Sequence, residues 1–346
     1  MKAIRYERLG GPEVLELVDV PTPRPAAGEV LVQVEAAGVN FSDIGRRLGR
    51  YLDATPLPFV PGSEIVGRVC GLGAGVASLS VGDRVAGVTA SRSGGYAEYC
   101  TIAADLVTHI DDGLDARRAV ALPNQGGTAL YVLETMARLK RGDVVAVTAA
   151  AGGVGGLAVQ LARLLGAGTV VALASSAQKL EHARGLGADV TVDVTSAGLA
   201  DQLRDATSGR GFDVVLDSVG GELASSLFDA LAPFGRLVSF GVASGVPLSV
   251  ASHAMMKRSV SVSGFHLDAV MAVPGRFSAT LARLYGLVAS GALTPHVGLE
   301  VPLERAAEAH AAMQSRTTMG KIVLSVGGVA GSEDGAARHH LTGRTG

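Results

Sequence analysis

The sequence predicts an α/β protein in which a doubly wound parallel sheet is inserted into a discontinuous, β-rich domain. Three observations predict it. From about Leu122 to Gly241, short apolar runs alternate with segments whose apolar residues recur at helical spacing, as strands joined by crossover helices do. A glycine cluster, "AAAGGVGG" (149–156), joins the first of these strands to its helix. The flanks differ: glycine-punctuated apolar runs precede the alternating stretch, and one more, "GKIVLSV" (320–326), follows it.

In chain order, "EVLVQVEAAGVN" (29–40) and "EIVGRVCGLG" (64–73) read as strands, and "VGDRVAGV" (81–88) as a turn entering a strand. Pro21, Pro23 and Pro25 mark an extended connector before them. "GTALYVLETMARL" (127–139) has helical spacing. The alternation then runs through strand "DVVAVTAA" (143–150), helix "GGLAVQLARLLGA" (155–167), strand "TVVALA" (169–174) and helix "AQKLEHARGLGA" (177–188). It continues with strand "DVTVDV" (189–194), helix "AGLADQLRDATSG" (197–209) and strand "FDVVLDSVG" (212–220). Helix "ELASSLFDALAPFG" (222–235) and strand "RLVSFG" (236–241) follow, and "KRSVSVSGFHL" (257–267) reads as a last strand. Two helices, 276–293 and 303–315, precede "GKIVLSV", and these late elements are expected to fold back onto the N-terminal β-domain. The expected boundaries are 1–122 with 267–330 for the β-rich domain, 123–266 for the inserted one, and a disordered tail over 331–346, where His339 and His340 are incidental.

Composition narrows the function. A formal net charge of −2 gives no footprint for nucleic acid, and with 4% aromatics and no Trp there is no stacking platform for bases. Cys70 and Cys100 are the only cysteines, too few for a disulfide framework or a four-cysteine zinc lobe. The N-terminus has no apolar h-region and no run is long enough to span a bilayer, so the expectation is a cytoplasmic protein with no membrane partner. No "GxSxG" elbow offers a hydrolase nucleophile, and neither cysteine sits in a CxxC pair.

The glycine cluster has the context that a dinucleotide site needs, a strand before it and a helix after it. Free N–H groups and the positive end of the helix dipole then face a pyrophosphate. Gly152 takes the position that lets the pyrophosphate approach, with Gly153 and Val154 beside it, and Gly155 the position that lets the helix pack on the strand; Ala150 replaces the first fingerprint glycine. A carboxylate at the end of the second strand would bind the ribose of NAD, but Ala174 stands there, followed by Ser175, Ser176 and Lys179. Two hydroxyls and an ammonium suit a 2′-phosphate, so the expected cofactor is NADPH. A helix-capping serine and a solvated lysine are the alternative.

"GGPEVL", "AAGVNFSDIGRRLGRY", "LPFVPGSEIVGRV", "VGDRV", "GGYAEY", "GTALYVL", "AAAGGVGGLAVQLA", "LDSVGG", "LVSFG" and "GKIVL" together resemble the medium-chain dehydrogenase/reductase superfamily, over residues 1 to 326. Within it the chain resembles the zinc-independent quinone oxidoreductase and enoyl reductase branches. The resemblance implies a GroES-like β-domain, a Rossmann domain, and an active site in the cleft between them. It implies that Asn40 lies beside the nicotinamide ribose, Thr128 near the nicotinamide, and Phe265 at the carboxamide edge. Gly152, Gly153, Val154 and Gly155 match the pyrophosphate turn, Ser176 and Lys179 the 2′-phosphate contacts, and Phe240 and Gly241 the strand end that passes the cofactor. The chain departs from the pattern at Val194 and Val242, where relatives carry a tyrosine and an asparagine.

Zinc relatives carry Cys and His where this chain has Asn40 and Ser63, which are poor zinc ligands, so no metal is expected. Reduction of a quinone, enone, enal or enoyl thioester remains, because the acceptor carbonyl itself spreads the developing charge. Tyr51 matches the family tyrosine near the nicotinamide and is the candidate proton donor; pocket lining is its alternative role. His266 is a weaker candidate for substrate contact, and Asp43 is expected to be a structural hydrogen-bond acceptor. A dedicated enoyl-thioester reductase and a non-catalytic nucleotide-binding relative are the rival readings. The resemblance also implies a homodimer through the last strand of the inserted sheet, around Ser259 to Phe265.

Overall fold

The computed structural model describes residues 1–89 and 91–327, so the expected tail over 331–346 lies outside the described residues. Strands β1 (Lys2–Arg5) and β2 (Glu16–Asp19) form a small antiparallel pair. Then come β3 (Glu29–Val39), α1 (Phe41–Arg47), β4 (Glu64–Leu72), β5 (Arg84–Val88), β6 (Tyr99–Ala103), β7 (Val107–His109), α2 (Ala116–Ala119) and α3 (Gly127–Tyr131). The alternating stretch gives β8 (Val144–Val147), α4 (Gly153–Leu164), β9 (Thr169–Ala174), α5 (Ala177–Gly185), β10 (Val190–Asp193), α6 (Leu199–Ala206) and β11 (Phe212–Asp217). It closes with α7 (Gly221–Asp229), β12 (Leu231–Ser239), α8 (Ser252–Arg258) and β13 (Ser261–Gly264). The chain ends with α9 (Asp268–Met271), α10 (Arg276–Ala289), β14 (Val297–Pro302), α11 (Ala306–Gln314) and β15 (Lys321–Ser325).

The six strands β8 to β13 form one parallel sheet in the order β10-β9-β8-β11-β12-β13. This is the doubly wound order, whose direction reverses beside β8, and ligands bind beyond the strand ends at such a reversal. The alternation explains why β8 is apolar throughout. Val145 and Val147 face one core, Val144 and Ala146 the other, so both faces of the sheet are dry.

The second sheet has seven strands, and β14 and β15 join it from the far end of the chain. β15 pairs antiparallel with β3, Ile322 opposite Val39, while β3 pairs on its other side with β4, Ala37 opposite Ile65. The end of β3 and the starts of β4 and β15 therefore lie side by side. One apolar core joins this sheet to the first, with Val32, Val66 and Val85 packing in the same cluster as Val145, Leu157 and Val170.

Three local expectations are corrected. The helix expected over 222–235 ends at Asp229, and β12 starts at Leu231 with a register shift opposite Phe212 and Val214. The strand expected from Lys257 is the end of α8, and β13 itself begins at Ser261. The helix expected from Gly127 begins at Leu122, with wider i→i+5 turns at 122–126 and 132–136 on either side of α3.

Candidate active site

The turn after β8 is built for close approach. Gly152 caps α4 in an extended conformation, so the first N–H groups of the helix, at Gly153, Val154 and Gly155, have no intrahelical acceptor. A Cβ on Gly155 would lie 2.3 Å from the carbonyl oxygen of Ala149 and 2.8 Å from Cα of Ala150, so the helix packs directly on the turn. A Cβ on Gly153 would lie 1.9 Å from Oε1 of Gln125, an oxygen that is buried without a hydrogen-bond partner. That orphaned oxygen beside the free helix end fits a turn shaped around a polar ligand. The chain's late segment also reaches this turn, where Gly320 N–H donates to Ala151 O at 2.7 Å.

At the end of β9, Ala174 is buried and Ser175 exposed. Ser176 caps α5, its Oγ accepting from Lys179 N–H at 3.4 Å, which is the capping role left open by the sequence. The Lys179 ammonium donates to the backbone oxygen of Arg316 at 2.5 Å, and the Arg316 guanidinium donates to Ala243 O at 2.7 Å. Burial and the Arg316 charge push Lys179 below its ordinary value. Two cations thus stand together at a strand end that carries no carboxylate, an arrangement that suits a dianionic phosphate. Arg316 was not foreseen, because it lies on the loop after α11 and no local pattern ties it to Lys179.

Linked through Gln125 to the turn after β8 is a buried ionic cluster. Lys321 and Glu64 are fully buried and paired, and Lys321 Nζ also donates to Asn40 Oδ1 at 3.0 Å and Val39 O at 3.1 Å. Asn40 Nδ2 donates to Glu64 Oε1 at 2.6 Å and to Ser63 Oγ at 3.3 Å, and Gln125 Nε2 donates to Asn40 Oδ1 at 3.3 Å. The other Glu64 oxygen accepts Asn124 N–H at 2.7 Å. Gly38 makes room for the pair, since a Cβ there would lie 2.5 Å from Glu64 Oε1 and 2.6 Å from Lys321 Cε.

A second buried chain continues from it. Asp43 accepts Asn40 N–H at 2.9 Å and Tyr96 O–H at 3.2 Å, as its expected structural role requires. His310 lies 3.3 Å from the Tyr96 oxygen through Nε2 and accepts from Arg47 Nε at 3.2 Å through Nδ1. Burial raises Asp43 to about 6 and lowers His310 to about 3.

The cleft's outer side brings together residues from distant parts of the chain. Tyr51 OH lies 2.8 Å from His266 Nε2, and the Arg46 guanidinium sits 4.2 Å from the Tyr51 ring centre. Phe265 stacks on Tyr131 with centroids 6.0 Å apart, and Thr128 is buried in α3. Phe240 and Gly241 follow β12 against the end of β11, with Phe240 N–H donating to Asp217 O at 2.9 Å. A Cβ on Gly241 would lie 2.9 Å from Ser218 O.

Comparison with known proteins matches this architecture half by half. Residues 26–112 match the alcohol dehydrogenase GroES-like domain, and residues 153–285 match the zinc-binding dehydrogenase family model. A quinone oxidoreductase of Pseudomonas aeruginosa is 37% identical over 327 residues, covering 93% of this chain and 99% of that one. The chain belongs to the medium-chain dehydrogenase/reductase superfamily, in its quinone oxidoreductase branch.

Solved members of this branch superpose along nearly the whole chain. The Escherichia coli quinone oxidoreductase complexed with NADPH has a TM-score of 0.89 at 32% identity, covering 94% of this chain and all of that one (100%). A mycobacterial protein complexed with NADPH has a TM-score of 0.88 at 37% identity, with coverage of 94% and 100%. By the resemblance, the side chains that would face a zinc ion here are Asn40 and Ser63, an amide and a hydroxyl that are poor ligands for it. The neighbouring carboxylate of Glu64 already carries an ammonium, and no group of three or more His, Cys, Asp or Glu side chains that could hold a metal occurs among the described residues.

Proposed function

We propose that the protein is an NADPH-dependent, zinc-independent oxidoreductase of the cytoplasm that reduces quinones or activated C=C bonds such as those of enones and enals. The observation that carries it is the Lys179–Arg316 cation pair at the carboxylate-free end of β9. It favours a 2′-phosphate over the bare ribose of NAD. The turn from Gly152 to Gly155 holds the pyrophosphate, Ser175 and Ser176 flank the 2′-phosphate, and Asn40, Thr128, Phe240, Gly241 and Phe265 border the nicotinamide end. The site lies between a catalytic domain of residues 1–122 and 267–330 and a nucleotide domain of residues 123–266.

When bound, the cofactor supplies the hydride. The chain's own residues hold the acceptor against it, exclude water, and supply a proton. The Lys321 ammonium keeps Glu64 and Asn40 in place, and Tyr51 holds its hydroxyl against His266. A quinone or a conjugated carbonyl delocalises its own incoming charge and requires no Lewis acid.

The test is acceptor-dependent NADPH oxidation with quinones, enals and enoyl-CoA. Turnover with any of them that is at least tenfold better with NADPH than NADH supports the assignment, and no turnover with all of them overturns it. A second reading, an enoyl-thioester reductase, draws on a groove of about 300 Å³ whose rim carries Arg276 and Arg283. Arg283 is tied to Glu134 at 2.7 Å, so Arg276, stacked over Tyr131, is the cation left to meet a phosphorylated carrier. A higher kcat/KM for enoyl-CoA than for the matching enal would favour it.

A further inference from the structure

We propose that Tyr51, His266 and Asp268 form a proton relay that runs from the cleft to solvent, with Tyr51 giving its proton to the reduced acceptor and His266 restoring it. The inference rests on the reductase function above. Tyr51 OH lies 2.8 Å from His266 Nε2. The opposite ring nitrogen, Nδ1, lies 3.4 Å from Asp268 Oδ2. The other Asp268 oxygen, Oδ1, accepts from Arg92 Nε and Nη2, both at 2.7 Å. Arg92 Nη1 donates in turn to Asn124 Oδ1 at 3.3 Å.

The order of these groups is the order of a proton path. Tyr51 is half-buried, while the His266 and Asp268 side chains are 36% and 44% exposed. A carboxylate 3.4 Å from Nδ1 favours the ring orientation in which Nε2 faces the phenol. Arg92, only 8% exposed, fixes that carboxylate from the inner side. Burial raises the Tyr51 phenol above its ordinary value, while the Arg92 and Arg46 charges act the other way and favour the phenolate left behind. Asp268 and Asp43 are the remaining charged groups that bear on it. A latch across the cleft would require only the Tyr51–His266 hydrogen bond. It would not require a carboxylate that presents one oxygen to the imidazole and the other to a buried guanidinium.

The balance is simple. Hydride adds to the β-carbon, and the π electrons move onto the carbonyl as an enolate. The Tyr51 O–H bond breaks as the α-carbon C–H bond forms. The Nε2–H bond of the His266 imidazolium breaks as the Tyr51 O–H bond is remade, and a water proton restores the imidazolium. Tyr51 is the catalytic residue of this step; His266 and Asp268 act through it.

The test compares Tyr51→Phe, His266→Gln and Asp268→Asn with wild type. It measures the pH profile of kcat, KM, and NADPH affinity by nucleotide fluorescence. The expected results are a kcat about 100-fold lower in Y51F with unchanged NADPH affinity, and loss of the alkaline limb in H266Q. In D268N kcat is expected to fall about tenfold, and Asp268→Glu to regain part of that loss, with KM within about twofold of wild type. A Y51F enzyme with full kcat overturns the relay while leaving the reductase function standing. So does a D268N protein with full kcat, and so does a pair of variants, H266Q and D268N, that change only KM or stability. A wild type that turns over no acceptor overturns the function and the relay with it.

Discussion

Lys321 and Glu64 have no water around them, so each is solvated by the other and by Asn40. Removing one partner strands the other, a loss of about 3–5 kcal/mol for a buried pair. Lys321→Met is expected to lose that much in urea unfolding, and Lys321→Met with Glu64→Gln to regain part of it. Asp43 and His310 make a subtler pair, since both bond to Tyr96. Asp43 is raised from 3.8 to about 6, so it binds its proton more tightly in the fold, and its contribution to stability is present below about pH 4 and lost as pH rises through about 6. His310 is lowered from 6.5 to about 3, so its contribution is complete above pH 6.5 and is lost as pH falls. Between about pH 4 and 6 the two slopes oppose and nearly cancel. Asp43→Asn removes one of them. Its stability is expected to drop by about 2–3 kcal/mol from pH 6 to pH 4, more than wild type does, in unfolding curves taken across that range. At this scale the sequence disclosed the residues whose neighbours in the chain form a motif, such as Asn40 and Gly152. It hid Lys321 and Arg316, because their partners are separated from them by 257 and 137 residues.

The βαβ alternation was legible because both of its periods are local, two residues for a strand and 3.6 for a helix. Where an element is short, the signal fails. Helix α1 has seven residues, too few to show two full turns of periodicity, although Asp43 at its third position accepts the Asn40 N–H as a capping residue does. The stretch "ALAPFG" has a helix-like composition, yet β12 begins inside it and Phe234 takes a positive φ of 63° with its ring exposed. Pairing of Leu231 with Phe212 of β11 decides the matter there, and that neighbour is not visible in the local pattern. The glycines give element-scale predictions. Gly155→Ala places a methyl group 2.3 Å from a backbone oxygen, so α4 must move off β8. It is expected to lower stability by about 1–3 kcal/mol and to weaken NADPH binding at least tenfold by fluorescence titration. Gly38→Ala, which drives a methyl into the Glu64–Lys321 pair, is expected to lose stability by a similar amount in thermal unfolding without touching the glycine turn.

Two large sheets share one core, with the β1–β2 pair beside them, and the insertion was readable because the β-like flanks bracket the alternating stretch. Strand β13 is the outer strand of the six-stranded sheet, pairing on one side with β12. We expect a two-fold copy to pair with its other side, because an unpaired strand edge invites another. Light scattering at micromolar concentration should give about twice the mass of the 35.0 kDa chain, and a monomer would overturn the dimer. The closing strand β15 has a consequence for how such a molecule is made. It delivers Lys321 to Glu64, and the residue before it, Gly320, to the glycine turn, from the last tenth of the chain. On the ribosome, Glu64 emerges long before its counter-charge does, and the nucleotide turn forms before the segment that braces it. Until β15 is made, the turn after β8 lacks the Gly320 hydrogen bond to Ala151. A chain that stops before β15 leaves Glu64 without its counter-charge.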